Sequence, residues 1–394
     1  MASRGPLDGV RVLDLSAMIA GPWSAGILAD QGADVIKIEE PTRGDAMRYT
    51  GSRKNDIGCP FFMANRGKRS VALDLRKPEG KEALKRLAAT ADVLLHSNRP
   101  GVMERLGLGY DELRAVRENI IYVSISGFGE TGSLAMKGAY DPIIQSFTGI
   151  AAQQGQGSDQ PALLRTIVCD KVTALMAAQA ISSALYARSQ GRGGQHVQVS
   201  LLAASAAFAW LELTRDEAFL GPGFEIVANP VEGYRLYRFA DGWASVAAAG
   251  DRPFLDMLRA FGVEDVDDPR LQTFADRMKH HDVTAHAMEA WQQKIAAVPL
   301  KEGIARLEAL DIPCAPVNSL AELAAHPGVA EAGIFQETDY PGFGRVREVK
   351  PPARFSDTPA GIAGPAPSLG EHTASVLAEV GIDVSALRSS GATR

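Results

Sequence analysis

The sequence predicts an α/β fold with a parallel sheet, followed by a smaller α+β domain. Runs of nearly continuous Val, Ile and Leu, such as DVIKIE (34–39), DVLLH (92–96) and IIYVSIS (120–126), alternate with amphipathic helical segments. Strands that are apolar on both sides belong in a sheet covered on both faces. The chain has 394 residues, 46% hydrophobic and 22% charged, which is globular composition and more chain than one small core needs.

Taken in order, Val10–Leu15 reads as a strand, Pro22–Gln31 as a helix ending at Gly32, and Asp34–Glu39 as a second strand. Ser70–Asp74 is a short strand, and Pro78–Thr90 a helix with Pro in its first turn and a charged outer face. The strands Asp92–His96 and Ile120–Ser126 flank a helical Tyr110–Arg117. A helix rich in small residues follows Asp170, Gly191–Gly194 punctuates the chain, and Val197–Ser200 is strand-like. A second small-residue helix is expected from Leu201 to about Phe219, then a linker over Leu220–Pro230 carrying two Gly and two Pro. The character changes after Val231. Tyr234–Phe239 and Trp243–Ala247 form a hairpin around Asp241-Gly242, and helices run over Phe254–Phe261 and Thr284–Ala297 and on to Ala309. Ile312–Val317 reads as a strand and Leu320–Ala325 as a helix. A Pro/Gly-rich tail leads to a last helix at Thr373–Val380.

Several function classes lose support. A net charge of -6 argues against nucleic-acid binding, which rests on Lys and Arg meeting phosphates. Cys59, Cys169 and Cys314 are odd in number and far apart, so they form neither a disulfide framework nor a zinc motif, and they suit a reducing, cytoplasmic compartment. The opening MASRGPLDGVRVLDLS lacks a signal-peptide h-region, and Val172–Ala187 and Leu201–Leu213 are too short or too polar to span a bilayer. Gly127-Phe-Gly-Glu-Thr-Gly132 is a literal GxGxxG after a strand, but no helix opens there and no acidic residue ends a following strand. A turn that needs positive φ is the better reading. Arg66-Gly-Lys-Arg-Ser70 mimics part of a Walker A loop without its first glycine; it reads as an anion contact or a solvated basic turn. His280, His281 and His286 lack a matching ligand set and read as an exposed helix face rather than a metal site.

Asp170 stands where an apolar segment, Leu163–Cys169, gives way to the Ala/Ser-rich helix. Two readings stay open locally. Asp is a favoured N-cap. The same place suits a carboxylate nucleophile, because a helix N-terminus favours negative charge and its N–H groups can stabilise an oxyanion.

Beyond single motifs, the sequence resembles the class III CoA-transferase (CaiB/BaiF) family nearly end to end. The resemblance rests on Pro6-Leu-Asp-Gly-Val-Arg-Val-Leu-Asp-Leu-Ser16, Ala20-Gly-Pro22, Gly32-Ala-Asp-Val-Ile-Lys-Ile-Glu39, Gly44-Asp45 and Asn65-Arg-Gly-Lys-Arg-Ser70. It continues through Asn98-Arg-Pro-Gly-Val102, Arg105-Leu-Gly-Leu-Gly-Tyr110, Ser126-Gly-Phe-Gly129, Tyr140-Asp141, Asp170, Gly191-Arg-Gly-Gly194 and Leu369-Gly-Glu-His-Thr373.

The resemblance implies that Asp170 attacks an acyl-CoA and carries the transfer to a carboxylic acid acceptor through covalent intermediates. Coenzyme A is then a substrate, and no tightly bound cofactor or metal is expected. Ala17, Leu73, Arg76, Asn98 and Arg105 fall at positions where the family contacts CoA. The family's racemase branch needs a His–Asp pair as two acid/base groups. Here Tyr140 precedes Asp141, and a phenol with pKa of about 10 is a poor acid/base partner at neutral pH. Transfer is thus favoured over epimerisation, with Tyr140 a candidate hydrogen-bond donor; a relative that binds CoA without catalysis is the other alternative. The glycine run that covers the site in formyl-CoA transferase is replaced by Ala247-Ala-Ala-Gly-Asp251, which argues against that specificity. Arg43, Arg48, Arg53 and Lys54 read as solvated loop charges, or else as contacts for the second carboxylate of a dicarboxylic acceptor. The family layout implies a large Rossmann-like domain built from both chain ends (1–220 and 326–394), a smaller domain at 221–325, and an interlocked homodimer.

Overall fold

In the computed structural model, residues 5–155, 160–214, 217–224 and 230–394 are described. Six parallel strands form the central sheet: β1 (Arg11–Asp14), β2 (Asp34–Glu39), β3 (Arg69–Ala72), β4 (Val93–His96), β5 (Ile121–Ser126) and β6 (Gln195–Ser200). Their order is β3-β2-β1-β4-β5-β6, the doubly wound arrangement in which ligands bind at the carboxyl ends where the order reverses. That switch lies between β1 and β4, with Leu13 opposite both Ile36 and Leu94.

Period-two alternation divides the strand side chains between two cores. Val12, Val35, Val93, Leu95, Val123 and Ile125 face one side, under α1 (Ala20–Asp30) and, further along, α7 (Val168–Ala187) and α8 (Leu201–Leu213). Leu13, Ile36, Val71, Leu94 and Tyr122 face the other, with α3 (Pro78–Ala88), α5 (Tyr110–Val116), α12 (Thr373–Glu379) and α13 (Val384–Ser389). α3 follows its sequence signature, with Pro78 in the first turn, Ala83, Leu84, Leu87 and Ala88 buried, and Lys85 and Arg86 near its C-terminus. Close approach explains one glycine of α1. A Cβ on Gly26 would stand 2.7 Å from the Ala64 carbonyl oxygen, at the end of the short α2 (Cys59–Asn65).

The end of the chain closes the β3 edge. The His372 N–H donates to the Ser70 carbonyl at 2.9 Å, the Ala72 N–H donates to Thr373 Oγ1 at 3.0 Å, and Thr393 Oγ1 donates to the Ala72 carbonyl at 2.6 Å. Between these ends lies a hairpin that the sequence did not announce, β10 (Phe335–Tyr340) and β11 (Gly344–Val349).

The chain divides into two compact units, Met1–Gly223 with Ile334–Arg394, and Phe224–Gly333. The second unit holds a three-stranded antiparallel sheet of β7 (Tyr237–Arg238), β8 (Trp243–Val246) and β9 (Cys314–Pro316) in the order β9-β8-β7. Helices α9 (Asp251–Ala260), α10 (His281–Ile295) and α11 (Leu300–Glu308) pack on it around Phe239, Trp291 and Leu307. One expected boundary moves. α8 stops at Leu213, where Thr214 turns extended at ψ 129°, rather than at Phe219. Of the expected linker, residues 225–229 lie outside the described residues, as do 215–216 of the expected helix.

Candidate active site

A cavity of about 420 Å³ opens at the β1/β4 switch, within the size range of small-molecule sites. The loop after β1 supplies Ala17, Met18 and Ile19, and the loop after β4 supplies Ser97, Asn98 and Arg99. Gly127 after β5, Lys137, Tyr140 and Asp170 close it. The two switch loops are pinned to each other, since the Ala17 N–H donates to Ser97 Oγ at 3.0 Å.

Asp170 lies in the first turn of α7, but it does not cap that helix. The cap position is Ile167, with no side-chain hydrogen bond. The capping is done from outside, by the buried Asp141 at the start of α6 (Asp141–Phe147). One of its oxygens accepts from the N–H of Cys169 at 2.7 Å and of Asp170 at 3.2 Å. The other takes the Gln145 side-chain amide at 2.6 Å. The Asp170 carboxylate is therefore left facing the cavity, where the backbone N–H of Ala20, the first residue of α1, favours its charged form. Pro22 in that first turn has no N–H to offer.

Burial, reinforced by the Asp141 charge and partly offset by the Ala20 N–H, pushes the Asp170 carboxyl up to about 6. At pH 7 the group is still about ten to one ionised.

The cavity brings together Asp170, Tyr140, Ala17 and Asn98 among the residues singled out in the sequence. Tyr140 is 65% exposed, and Asn98 donates its side-chain amide to Met103 Sδ at 3.4 Å. Three others lie off it. Arg105 is exposed on the short α4 (Val102–Leu106). Leu73 is buried in the core. The Arg76 side chain is solvent-exposed and forks onto Asp74 with two contacts of 2.8 Å. Sequence reading missed Ser97, Arg99, Lys137 and the Asp141 cap. The ammonium of Lys137 lies over the rings of Phe128 and Phe147, 5.4 and 5.2 Å from their centres.

The basic Arg66–Ser70 cluster is neither a solvated turn nor an anion site. Arg66 pairs with Asp30 at 2.7 Å, Arg69 with Asp34 at 2.6 Å, and the buried Lys68 with Asp14 at 2.8 Å. Burial pushes the Lys68 ammonium down to about 8 against the pull of Asp14. Arg48 is not a loop charge either. It is buried, forked onto Glu39 at 2.9 and 2.7 Å, and lies 3.9 Å over the Phe61 ring. Arg43, Arg53 and Lys54 are exposed. In the GxGxxG segment, Gly129 and Gly132 have φ of +95° and +85°, as the turn reading expects. Among the described residues, no helix is long and apolar enough to cross a membrane, and no group of three His, Cys, Asp or Glu side chains is placed to hold a metal ion.

The site is thus a cavity at the switch point of a doubly wound sheet, with the Asp170 carboxylate in its lining. Residues 7–373 match CoA-transferase family III, and the chain belongs to that family. It is 33% identical over 394 residues to a succinate–glutarate CoA-transferase of Agrobacterium fabrum, covering 95% of this chain and 96% of that one. It is 32% identical to an acyl-CoA transferase of Fusarium pseudograminearum, covering 98% and 87%. Among solved structures, a CAIB/BAIF family protein from Brucella suis superposes with a TM-score of 0.83 at 30% identity, over 96% of this chain and all of that one. The chain is thus an enzyme of the CoA-transferase class.

Proposed function

We propose that the protein moves coenzyme A from an acyl-CoA to a carboxylic acid acceptor, with Asp170 as the covalent nucleophile. The Asp170 carboxylate attacks the thioester carbonyl. A C–O bond forms, the C–S bond breaks, and the CoA thiolate leaves an acyl-aspartyl anhydride. The thiolate then attacks the aspartyl carbonyl, which releases the donor acid as its carboxylate and leaves an aspartyl-CoA thioester. The acceptor carboxylate repeats the two steps in reverse order and regenerates Asp170. One thioester replaces another, so no external energy source is required.

The observation that carries this reading is the Asp170 carboxylate itself, facing the cavity while Asp141 takes over the capping of its helix. The Ala20 N–H favours negative charge on the aspartyl oxygens, which is the charge that returns there when the thiolate attacks the aspartyl carbonyl. We assign CoA contacts to Ala17, Asn98 and Arg105. Leu73 offers only backbone groups, and Arg76 joins them if its exposed contact to Asp74 is released. The name of the Agrobacterium relative supports short dicarboxylic acids as the substrate class to test first, with Arg99 and Lys137 as cations for the distal carboxylate. Epimerisation is disfavoured because Asp141, the neighbour of Tyr140, is committed to the helix cap. The exposed apolar side chains Leu175, Tyr186, Phe208, Trp210 and Leu211 of α7 and α8 support a homodimer, which light scattering tests directly. The three free cysteines fit a cytoplasmic location.

Incubation with a panel of acyl-CoAs, trapping with hydroxylamine and peptide mass spectrometry should show modification at Asp170. An unmodified Asp170, or an Asp170→Ala variant with full turnover, refutes the mechanism.

A further inference from the structure

We infer that Asp45 is a positioning residue for the chemistry at Asp170, acting through the backbone of Met18; the inference rests on the nucleophile reading above. Met18 has a φ of +69°. A residue with this side chain enters the left-handed region only where its surroundings hold it there. It lies in the loop from β1 to α1, whose neighbouring residues are each tied down separately. The Ser16 N–H donates to Asp14 Oδ1 at 3.0 Å, as does its hydroxyl, while Lys37 Nζ donates to the Ser16 carbonyl at 2.9 Å. Ala17 is held by Ser97.

Met18 is held by Asp45. Its N–H donates to Asp45 Oδ1 at 3.2 Å, and the same oxygen accepts the Met47 N–H at 3.0 Å. The second Asp45 oxygen lies 3.1 Å from Lys37 Nζ, and the Asp45 N–H donates to Glu39 Oε1 at 3.0 Å. Asp45 is 4% exposed, so water does not compete for these contacts. Two residues beyond Met18, Ala20 lines the same cavity as Asp170, and its N–H favours the charged form of that carboxylate. The dihedral at Met18 therefore aims that N–H. With the Asp45 contact cut, Met18 relaxes toward negative φ and carries the start of α1 out of line. A shift of about 1 Å at such a site costs on the order of 100-fold in rate.

Asp45 also neutralises the buried Lys37, so a loss of activity in one variant would not separate the two roles. A double-mutant cycle does. Glycine adopts positive φ without penalty, so Met18→Gly removes the need for the grip. With Met18 present, Asp45→Ala should lower kcat about 100-fold and change KM for acyl-CoA less than about threefold. In the Met18→Gly background the same change should cost less than about fivefold. Asp45→Asn keeps an oxygen for both N–H groups and should stay within about fivefold of the parent. Equal losses in both backgrounds, or an Asn variant as damaged as the Ala variant, overturn the inference. Circular dichroism checks folding. If Asp45→Ala does not fold, Asp45→Asn decides alone, with a loss of about 100-fold as the overturning result. An Asp170→Asn arm tests the nucleophile separately: turnover there sinks that reading, whereas an inactive Asp170→Asn with an uncoupled cycle sinks only the role of Asp45.

Discussion

Replacing Asp170 by Asn should end turnover and make the protein more stable. The carboxyl moves from 3.8 to about 6 on folding, through burial first and the Asp141 charge second. Between those pH values the folded chain binds more protons than the unfolded chain, so stability falls as pH rises through the window. The cost is complete above pH 6 and absent below 3.8. A rise of this size corresponds to about 3 kcal/mol, and partial solvent contact reduces it to about 2–3 kcal/mol. Asn keeps an oxygen toward the Ala20 N–H but carries no charge to desolvate. The variant should therefore gain about 2–3 kcal/mol at pH 8 and about a third of that at pH 4.5. For the unit of roughly 280 residues that holds the site, this is a Tm increase on the order of 4–5 °C at pH 8. Scanning calorimetry at the two pH values measures it. A variant no more stable than the parent at pH 8, or equally favoured at both, would show that the carboxylate is not held at an energetic cost.

Two further outcomes follow from the same geometry. In the parent enzyme kcat/KM should fall about tenfold per pH unit below pH 6 as Asp170 takes up its proton, and Asp141→Asn should move this limb to lower pH by removing a negative charge while keeping an oxygen for the α7 cap; an unmoved or raised limb in the pH profile contradicts that. Arg48→Met should cost about 3 kcal/mol in urea unfolding, the low end for a broken buried pair, because Glu39 still accepts from Ser70 at 2.9 Å and from the Asp45 N–H at 3.0 Å; a neutral result means the Phe61 packing alone carries Arg48.

The sheet was legible because its strands are apolar on both sides, which no exposed segment sustains. Lys37 and Glu39 in the middle of DVIKIE look out of place for that reason, and their partners explain them only in three dimensions. Lys37 meets Asp45, and Glu39 meets Arg48 and Ser70. Likewise Arg66–Ser70 reads as a basic cluster until Asp30, 36 positions back from Arg66, and Glu379, 310 positions on from Arg69, come alongside. The β10–β11 hairpin escaped notice because its strands, FQETDY and GRVREV, carry charged residues that hide the alternation of a half-buried pair. Asp170 was found through the order of motifs along the chain. Its local text favours a cap, yet the residue that caps α7, Asp141, stands 28 positions before Cys169.

The closure of the β3 edge by the last residues has a consequence for biosynthesis. Ser70 meets a partner 302 positions later in the chain, a delay of roughly 15–60 s at ordinary translation rates. During that interval a nascent sheet with an open, pairing-competent border must wait on the ribosome while the second unit emerges in between. Chains released early, or stalled before the final helix, would present that border to one another, so loss of the C-terminus should show first as aggregation during synthesis rather than as a defect in chemistry.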